Sequence, residues 1–245
     1  MTTLGTPDPG TLQQALEQLG SLALREHSMD TLLQRVVDLT KVIVPGHTDA
    51  SITLVVKQKP TTSVFSGQLA LDCDETQISQ GVGPCLHAAA SGEMTYVADT
   101  RTDPRWPAYM ALAAERGALS SLSLPLPISE GLSGAMNIYA REPDAFGDHE
   151  TQASATKFVP YAAVAVANMQ AYQDARDLAQ NLQVAIESRA IIDQAKGILM
   201  ERFKLTADGA FQTLARVSMQ RNLKLRVVAE ELVLTGQLPG GPPAS

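Results

Sequence analysis

Residues 188–233 read SRAIIDQAKGILMERFKLTADGAFQTLARVSMQRNLKLRVVAEELV. The apolar spacing of this stretch predicts three amphipathic helices, each with one apolar stripe. The stripes are Ile191, Ala195, Ile198 and Leu199, then Ala207, Ala210, Phe211, Leu214 and Ser218, then Leu225, Val228, Ala229, Leu232 and Val233. Thr206 suits the N-cap of the second helix, and Asn222 suits its end because asparagine tolerates the left-handed conformation. So short a stretch holds too small a core for a catalytic domain, and its eight Lys or Arg side chains favour a binding module.

The composition is that of an ordinary globular protein, with 44% hydrophobic and 18% charged residues among 245. Its net charge of −7 is uneven: residues 1–184 hold 11 Lys/Arg and 20 Asp/Glu, whereas residues 185–245 hold 8 and 6. This asymmetry is typical of a basic binding module attached to an acidic body. No apolar run approaches the roughly 18 residues of a membrane span, and the N-terminus lacks signal-peptide features, so we expect a cytoplasmic protein without membrane contact.

The N-terminal part is predicted to be an α+β domain with a mostly antiparallel sheet. Runs rich in β-branched or alternating apolar residues predict strands at residues 50–56, 61–65, 93–98, 119–126 and 134–139. Helical spacing predicts helices at residues 11–26, 29–44, 70–80 and 106–115. Residues 1–10 and 239–245 are rich in proline and glycine and are predicted to be disordered.

Residues 148–187 are predicted to form one long connecting helix, because no proline follows Pro160 and no glycine intervenes before Gly197. Its apolar positions are Val159, Ala162, Val166, Met169, Leu178, Leu182, Ala185 and Ile186. A helix of roughly 40 residues is uncommon in globular domains, so we expect a parallel coiled coil between two copies, which makes the protein a homodimer. The alternative is a helix packed on the sheet, followed by a separate linker helix.

The order of motifs in residues 185–233 resembles the ANTAR domain, an RNA-binding module of bacterial transcription antiterminators. The similarity rests on SRA at 188–190, IDQAKGILM at 192–200, AF at 210–211, Leu214, Ser218, NLKLR at 222–226 and VA at 228–229. Gly209 and Val227 depart from it where an acidic residue is expected. The resemblance places an ANTAR module at residues 185–238. It implies binding of structured stem-loop RNA, which stabilises one RNA fold at the expense of a terminator hairpin.

The basic residues suit RNA because phosphates need cations on a rigid surface and loop bases stack on guanidinium planes. The predicted RNA-binding residues are Arg189, Lys196, Gly197, Arg202, Lys204, Arg216, Arg221, Lys224 and Arg226. Gly197 is included because it permits close approach of another backbone, although packing against the third helix explains it equally well. A DNA-binding helix–turn–helix is an alternative, but Val227, Glu230 and Glu231 on the exposed side of the third helix suit a phosphate-rich groove poorly.

Three segments of the N-terminal domain resemble GAF domains of the kind that precede ANTAR modules in actinobacterial regulators. They are GVGPCLHAA at 81–89, DTRTDPRWP at 99–107 and SLSLPL at 121–126. The resemblance covers residues 11–171 and implies a sheet of about six strands with helices on one side, often with a small-molecule pocket. It favours a sensor or dimerisation domain with an unidentified ligand, and no cofactor or metal site is predicted.

Cys85 and His87 are candidate redox- or ligand-sensing residues because they follow the Gly83-Pro84 turn. The enzyme alternative is a free methionine-(R)-sulfoxide reductase, a type that has a GAF-like fold and uses cysteines near a glycine-rich turn. Thiol reductases of this type need a second thiol to resolve their intermediate, and only Cys73 is available. We therefore predict no catalytic residue and no enzyme. The favoured interpretation is a GAF-controlled, RNA-binding transcription antitermination regulator.

Overall fold

The structure is a computed structural model that describes residues 9–44, 46 and 48–239, and the chain divides into two units between residues 172 and 173. In chain order the elements are α1 Pro9–Gly20, a 3-10 turn Leu24–Glu26, α2 Met29–Ile43, β1 Thr48–Val56, β2 Lys59–Phe65, α3 Gln68–Gln80, α4 Pro84–Ser91, β3 Thr95–Val97, α5 Pro107–Glu115, β4 Ser120–Ser129, β5 Leu132–Ala140, α6 His149–Phe203, α7 Ala207–Arg221 and α8 Leu225–Thr235. Residues 1–8 and 240–245, predicted to be disordered, lie outside the described residues. Pro9 and Gly10, included in the same prediction, belong to α1.

The first unit contains a five-stranded antiparallel sheet in the order β2-β1-β5-β4-β3. Met136 at the middle of β5 lies opposite Ile52 of β1 and Leu124 of β4. The predicted α+β class and the antiparallel sheet are confirmed, with five strands in the described residues rather than about six.

Helices cover both faces of this sheet, not one face as the resemblance implied. Met136 and Ile138 of β5 pack with α2 and α6 in the main apolar core. Ala135 and Tyr139, which point to the opposite face, pack against α3, α4 and α5. The division follows from the two-residue period of a strand, which sends successive side chains to opposite faces.

Two local differences from the prediction occur near glycine and proline. The sequence predicts one helix over residues 11–26, but α1 ends at Gly20 and a separate 3-10 turn follows, because glycine is a poor helix former. The sequence analysis assigns no helix to residues 84–91, yet α4 forms there. Pro84 occupies its first turn, and Gly92, with a φ of 74°, closes it.

The long helix α6 runs beyond the predicted residues 148–187, because the first helix of the 188–233 stretch continues it without a break. Its predicted apolar positions do not form one seam. Val159, Ala162, Val166 and Met169 are buried in the sheet-packing core of the first unit. The predicted Leu178, Leu182 and Ala185 are exposed instead, and they continue a heptad of exposed residues that begins with Tyr161, Val164, Asn168, Ala171 and Ala175.

The second unit contains the C-terminal part of α6 together with α7 and α8. Its buried residues come from the three predicted stripes and are Ala195, Leu199, Ala210, Leu214, Val228, Ala229 and Leu232. Both predicted caps of α7 are confirmed: the Thr206 side chain accepts from the Gly209 N–H at 3.2 Å, and Asn222 is left-handed with a φ of 52°. Phe211, predicted in the stripe, is 40% exposed.

Candidate nucleic-acid interface

The cations on the outer side of α6 are held by acidic residues about one turn away. Asp193 lies 2.9 Å from the Lys196 Nζ and 3.8 Å from the Arg189 Nε. The hydrogen bond from Lys196 lowers the pKa of Asp193. Lys204 pairs with Glu201 at 2.8 Å. Exposed ion pairs of this kind contribute little to stability, so a phosphate group can compete with these carboxylates.

Gly197 lies on the side of α6 that faces away from the core. Ala195 and Leu199, two positions to either side, are buried, and 3.6 residues per turn places Gly197 opposite both. A Cβ added at Gly197 would meet no atom within 4 Å. Packing against the third helix, the alternative explanation of this glycine, is therefore wrong.

Arg202 and Arg226 have contacts within the second unit. The Arg202 guanidinium donates to the Gly236 carbonyl, which lies at the end of α8 where helical carbonyls lack intrahelical partners. Arg226 Nε lies 2.7 Å from Glu230, and its Nη2 lies 4.0 Å from Glu187. Both side chains therefore already have partners within the unit before any contact with a ligand.

The turn between α7 and α8 carries cations of a different kind. We define the α7–α8 corner as residues 216–224; it contains Arg216, Arg221 and Lys224, all exposed. Within the described part of the chain, none of the three forms an ion pair. The sequence contains no acidic residue between Asp208 and Glu230. The positive charge of the corner is thus not compensated locally.

The first unit contains a buried polar layer between the sheet and α3. Asp74 of α3 is buried and accepts hydrogen bonds from Thr53 Oγ1 at 3.1 Å, Asn137 Nδ2 at 3.2 Å and the Tyr139 hydroxyl at 2.5 Å. Burial raises the pKa of Asp74, while hydrogen bonds, among them that from Tyr139, oppose the shift. The sheet therefore holds a carboxyl group by hydrogen bonds alone, with no ion pair to Asp74 in the described residues.

Three polar atoms of this sheet face lack hydrogen-bond partners, namely Ser121 Oγ, Ser123 Oγ and Asn137 Oδ1. Ser123 and Asn137 lie opposite each other on β4 and β5. A buried polar atom without a partner costs about 1–3 kcal/mol, so the layer could satisfy a small polar group. A cavity of about 600 Å³ lies on the same side of the sheet, lined by residues that include Ile78, Leu86 and Ser133.

Cys85 has the properties of an unreactive thiol. It is 1% exposed, burial raises its pKa to about 12, and Asn137 Nδ2 donates to its Sγ at 3.1 Å. Cys73 is also buried, with its pKa raised to about 12 by burial. Because the thiolate is the reactive form, these values do not favour redox sensing. His87 is exposed, and its ring lies 5.5 Å from that of Trp106.

Comparison with protein families assigns both units. The model of the GAF domain matches residues 26–167, and the model of the ANTAR domain matches residues 180–233. The chain belongs to the GAF–ANTAR regulators. The architecture of this GAF–ANTAR protein is that of a regulator, and no curated protein matches its sequence significantly.

Solved structures resemble the GAF unit of the GAF–ANTAR protein in fold. The GAF domain of Acinetobacter phosphoenolpyruvate-protein phosphotransferase has a TM-score of 0.52 and 14% identity, over 70% of this chain and 97% of that one. Reduced fRMsr of Staphylococcus aureus, a methionine sulfoxide reductase, has a TM-score of 0.51 and 16% identity, over 68% and 99%. The chromophore-binding domain of an R. palustris bacteriophytochrome has a TM-score of 0.51 and 10% identity, over 66% and 62%.

None of the helices in the described residues is both long and apolar enough to cross a membrane. No group of three or more His, Cys, Asp or Glu side chains in that part of the chain is placed to hold a metal ion.

One set of buried polar residues was not predicted from the sequence. Asp74 and Asn137 form the buried polar layer, and their signal was the polar residue at alternate positions of otherwise apolar strands, such as Ser121 and Ser123.

Proposed function

We propose that this GAF–ANTAR protein is an RNA-binding transcription antitermination regulator whose GAF unit controls its ANTAR unit. The observation that carries the proposal is the α7–α8 corner, where Arg216, Arg221 and Lys224 are exposed and uncompensated. Phosphate binding needs cations on a rigid surface, and the core of the ANTAR unit anchors the helices on both sides of this corner. ANTAR domains are generally RNA-binding, which makes stem-loop RNA the partner that fits.

The proposed RNA contacts fall into two groups according to their surroundings. The corner cations are free to bind phosphates, whereas Arg189, Lys196, Lys204 and Arg226 have to exchange a carboxylate for a phosphate. Arg202 keeps its carbonyl contact, and Gly197 contributes an open backbone position. The corner should therefore supply the larger share of the affinity.

Antitermination follows from binding alone. A protein that binds one RNA fold and not the alternative shifts the equilibrium by its differential affinity for the two. Binding to stem-loops that exclude the terminator hairpin lets transcription continue, and no covalent chemistry is needed.

The geometry of α8 supports RNA rather than duplex DNA as the ligand. In a DNA-binding helix–turn–helix, the recognition helix enters the major groove and contacts base edges. In α8, Arg226 is paired with Glu230, and Val227 is an exposed apolar residue. The unpaired cations cluster instead at the corner that precedes α8.

A thiol reductase is the less supported alternative. Such an enzyme needs an accessible thiolate and a second thiol that resolves the intermediate. Cys73 and Cys85 are both buried with raised pKa values. An RNA-binding regulator does not require either thiol to react.

The exposed heptad of α6 supports a homodimer. Leu178 and Leu182, which are 60% and 55% exposed, would occupy d and a positions of a parallel two-stranded coiled coil. Asn168 falls at another a position, where a single asparagine specifies register and oligomer state. We therefore propose that two copies pair along this seam.

The dimer is tested by sedimentation equilibrium on the full chain. Leu182→Asp places a charge at an a position and should convert dimer to monomer. Gln180→Asp adds the same charge at an exposed f position and should leave the dimer intact. A dimer that survives Leu182→Asp unchanged would contradict the seam.

RNA binding is tested with a fluorescent two-hairpin RNA and a DNA duplex of equal charge, each at several salt concentrations. The wild-type protein should prefer the RNA. Arg221→Ala with Lys224→Ala should weaken RNA binding and reduce the slope of log K against log salt by roughly 1.5, because two phosphate contacts are lost. Arg176→Ala, which removes an exposed cation outside the ANTAR match, should change neither. Equal affinity of the wild type for RNA and DNA would refute the proposal.

A further inference from the structure

The outer face of α7 presents a ridge of polar side chains beside the α7–α8 corner. Gln212, Arg216 and Gln220 follow each other at intervals of four residues, which places them along one side of the helix. All three are exposed, while the opposite side of α7 buries Ala210 and Leu214. We call Gln212, Arg216 and Gln220 the α7 ridge.

The α7 ridge has no role in holding the ANTAR unit together. Among the described hydrogen bonds, none involves the side chain of Gln212, Arg216 or Gln220. Met219, on the same outer face, is 76% exposed, which is unusual for a large apolar side chain in a folded unit. Two amides, a guanidinium and an apolar side chain are therefore available to a ligand.

The C-terminal part of the ridge favours an anionic ligand. Asp208 lies one turn before Gln212, but no acidic residue follows it before Glu230, and Arg221 and Lys224 lie just beyond the C-terminal end of the ridge. The outer side of α6 differs, since Asp193 and Glu201 lie among its cations. A polyanion would therefore meet carboxylates on the outer side of α6 but only cations at the C-terminal end of the ridge.

We propose that the α7 ridge reads the unpaired bases of an RNA loop, while Arg221 and Lys224 hold the adjoining phosphates; this rests on the proposed RNA-binding function. A glutamine amide offers a donor and an acceptor side by side, which matches the edge of a base. The planar Arg216 guanidinium can stack on or bond a base, and Met219 offers an apolar surface to a base face. Sequence-specific proteins reach bases mostly in loops, where the bases are not paired.

This division of labour separates affinity from specificity. Cations that contact phosphates bind every RNA alike and make binding depend on salt. Amides that contact base edges change the preference among loop sequences and leave the salt dependence unchanged. The two glutamines of the ridge and the cations Arg221 and Lys224 should therefore respond differently to substitution, whereas Arg216, which belongs to both the ridge and the corner, contributes to both.

The experiment uses the full chain, the two-hairpin RNA of the binding test and a second RNA with the same stems but substituted loops. Gln212→Ala with Gln220→Ala should lower the preference for the first RNA about tenfold or more, as expected for lost base contacts, with the salt slope unchanged. Arg216→Lys keeps the charge but loses the planar fork, and it should act in the same direction. Gln180→Ala, an exposed glutamine on α6, is the matched control and should bind like the wild type.

The corner variant completes the comparison. Arg221→Ala with Lys224→Ala should weaken both RNAs by the same factor and reduce the salt slope. If the double glutamine variant keeps the wild-type preference between the two loops, the ridge does not read bases, although RNA binding itself stands. If the wild-type protein binds neither RNA, the proposed function fails and the ridge assignment fails with it.

Discussion

Replacing Tyr139 with phenylalanine removes one hydroxyl from the buried polar layer of the GAF unit. That hydroxyl donates to Asp74 Oδ1 at 2.5 Å and accepts from Gln77 Nε2 at 3.0 Å. All three side chains are buried. The substitution therefore leaves a carboxyl oxygen with one donor fewer and an amide donor without its acceptor.

The magnitude follows from these two losses. A buried group left without its partner costs about 1–3 kcal/mol, and the substitution leaves two such groups. Part of the cost is offset because the phenylalanine ring buries no hydroxyl. We expect Tyr139→Phe to lower the free energy of unfolding by about 3 kcal/mol near neutral pH.

The loss should depend on pH with a defined sign. Burial raises the pKa of Asp74 above its value of 3.8 in the unfolded chain, and the Tyr139 hydrogen bond opposes that shift. The stability contributed by a group with a raised folded pKa is fully present below the unfolded pKa and is lost as pH rises through the folded pKa. Tyr139→Phe raises the pKa of Asp74 further, so its destabilisation should be smaller at acidic than at neutral pH.

The measurement is urea unfolding of the full chain followed by tryptophan fluorescence. Trp106 is the only tryptophan in the sequence, and it packs against the cluster that contains Tyr139. Tyr172→Phe, which removes a half-buried hydroxyl that forms none of the described hydrogen bonds and lies off the heptad seam, is the matched control and should leave stability unchanged. A loss below about 0.5 kcal/mol at neutral pH, or an equal loss at acidic and neutral pH, would refute the reasoning.

Three further outcomes follow from single positions. Thr206→Ala should destabilise the ANTAR unit by about 1 kcal/mol in thermal unfolding monitored by circular dichroism, because the cap to the Gly209 N–H is lost; an unchanged melting temperature would contradict it. Gly197→Ala should stabilise that unit by roughly 0.5–1 kcal/mol, since the new methyl group meets no atom and alanine favours helix; destabilisation would show that another chain already lies against α6. Cys73 and Cys85 should resist a thiol reagent in the native protein and react after denaturation, and prompt native labelling would restore a sensor role.

The sequence predicts the ANTAR unit well because its signals are local. Helical spacing, the Thr206 cap and the Asn222 stop each depend on residues within a few positions, and the structure confirms all three. The strands of the GAF unit were predicted close to their positions for the same reason. The sequence does not show which cations already form ion pairs, and the pairing of Lys196 with Asp193 was therefore not predicted.

The buried faces of the sheet and of α6 could not be predicted from the sequence, because they depend on tertiary packing. A strand pattern cannot tell whether its second face meets solvent or more helices, so the helices on both sides of the sheet were not expected. The same ambiguity affects α6: Val166 and Leu178 are both apolar, but Val166 is buried in the sheet-packing core while Leu178 is exposed. The prediction of one apolar seam therefore combined residues from two different faces of α6.

The exposure of residues 174–187 decides how a GAF signal can reach the ANTAR unit under the proposed dimer. Each of these residues is exposed, so the segment gains packing only by pairing with a second copy, where burying a leucine contributes about 1.5–3 kcal/mol. A ligand shifts such an equilibrium only if it binds the two states unequally. Val159 and Met169 of the same helix belong to the GAF core, so we propose that a ligand that alters the packing of this face acts on the pairing of Leu178 and Leu182. Pairing of that segment is therefore the physical step through which the GAF unit would control RNA binding.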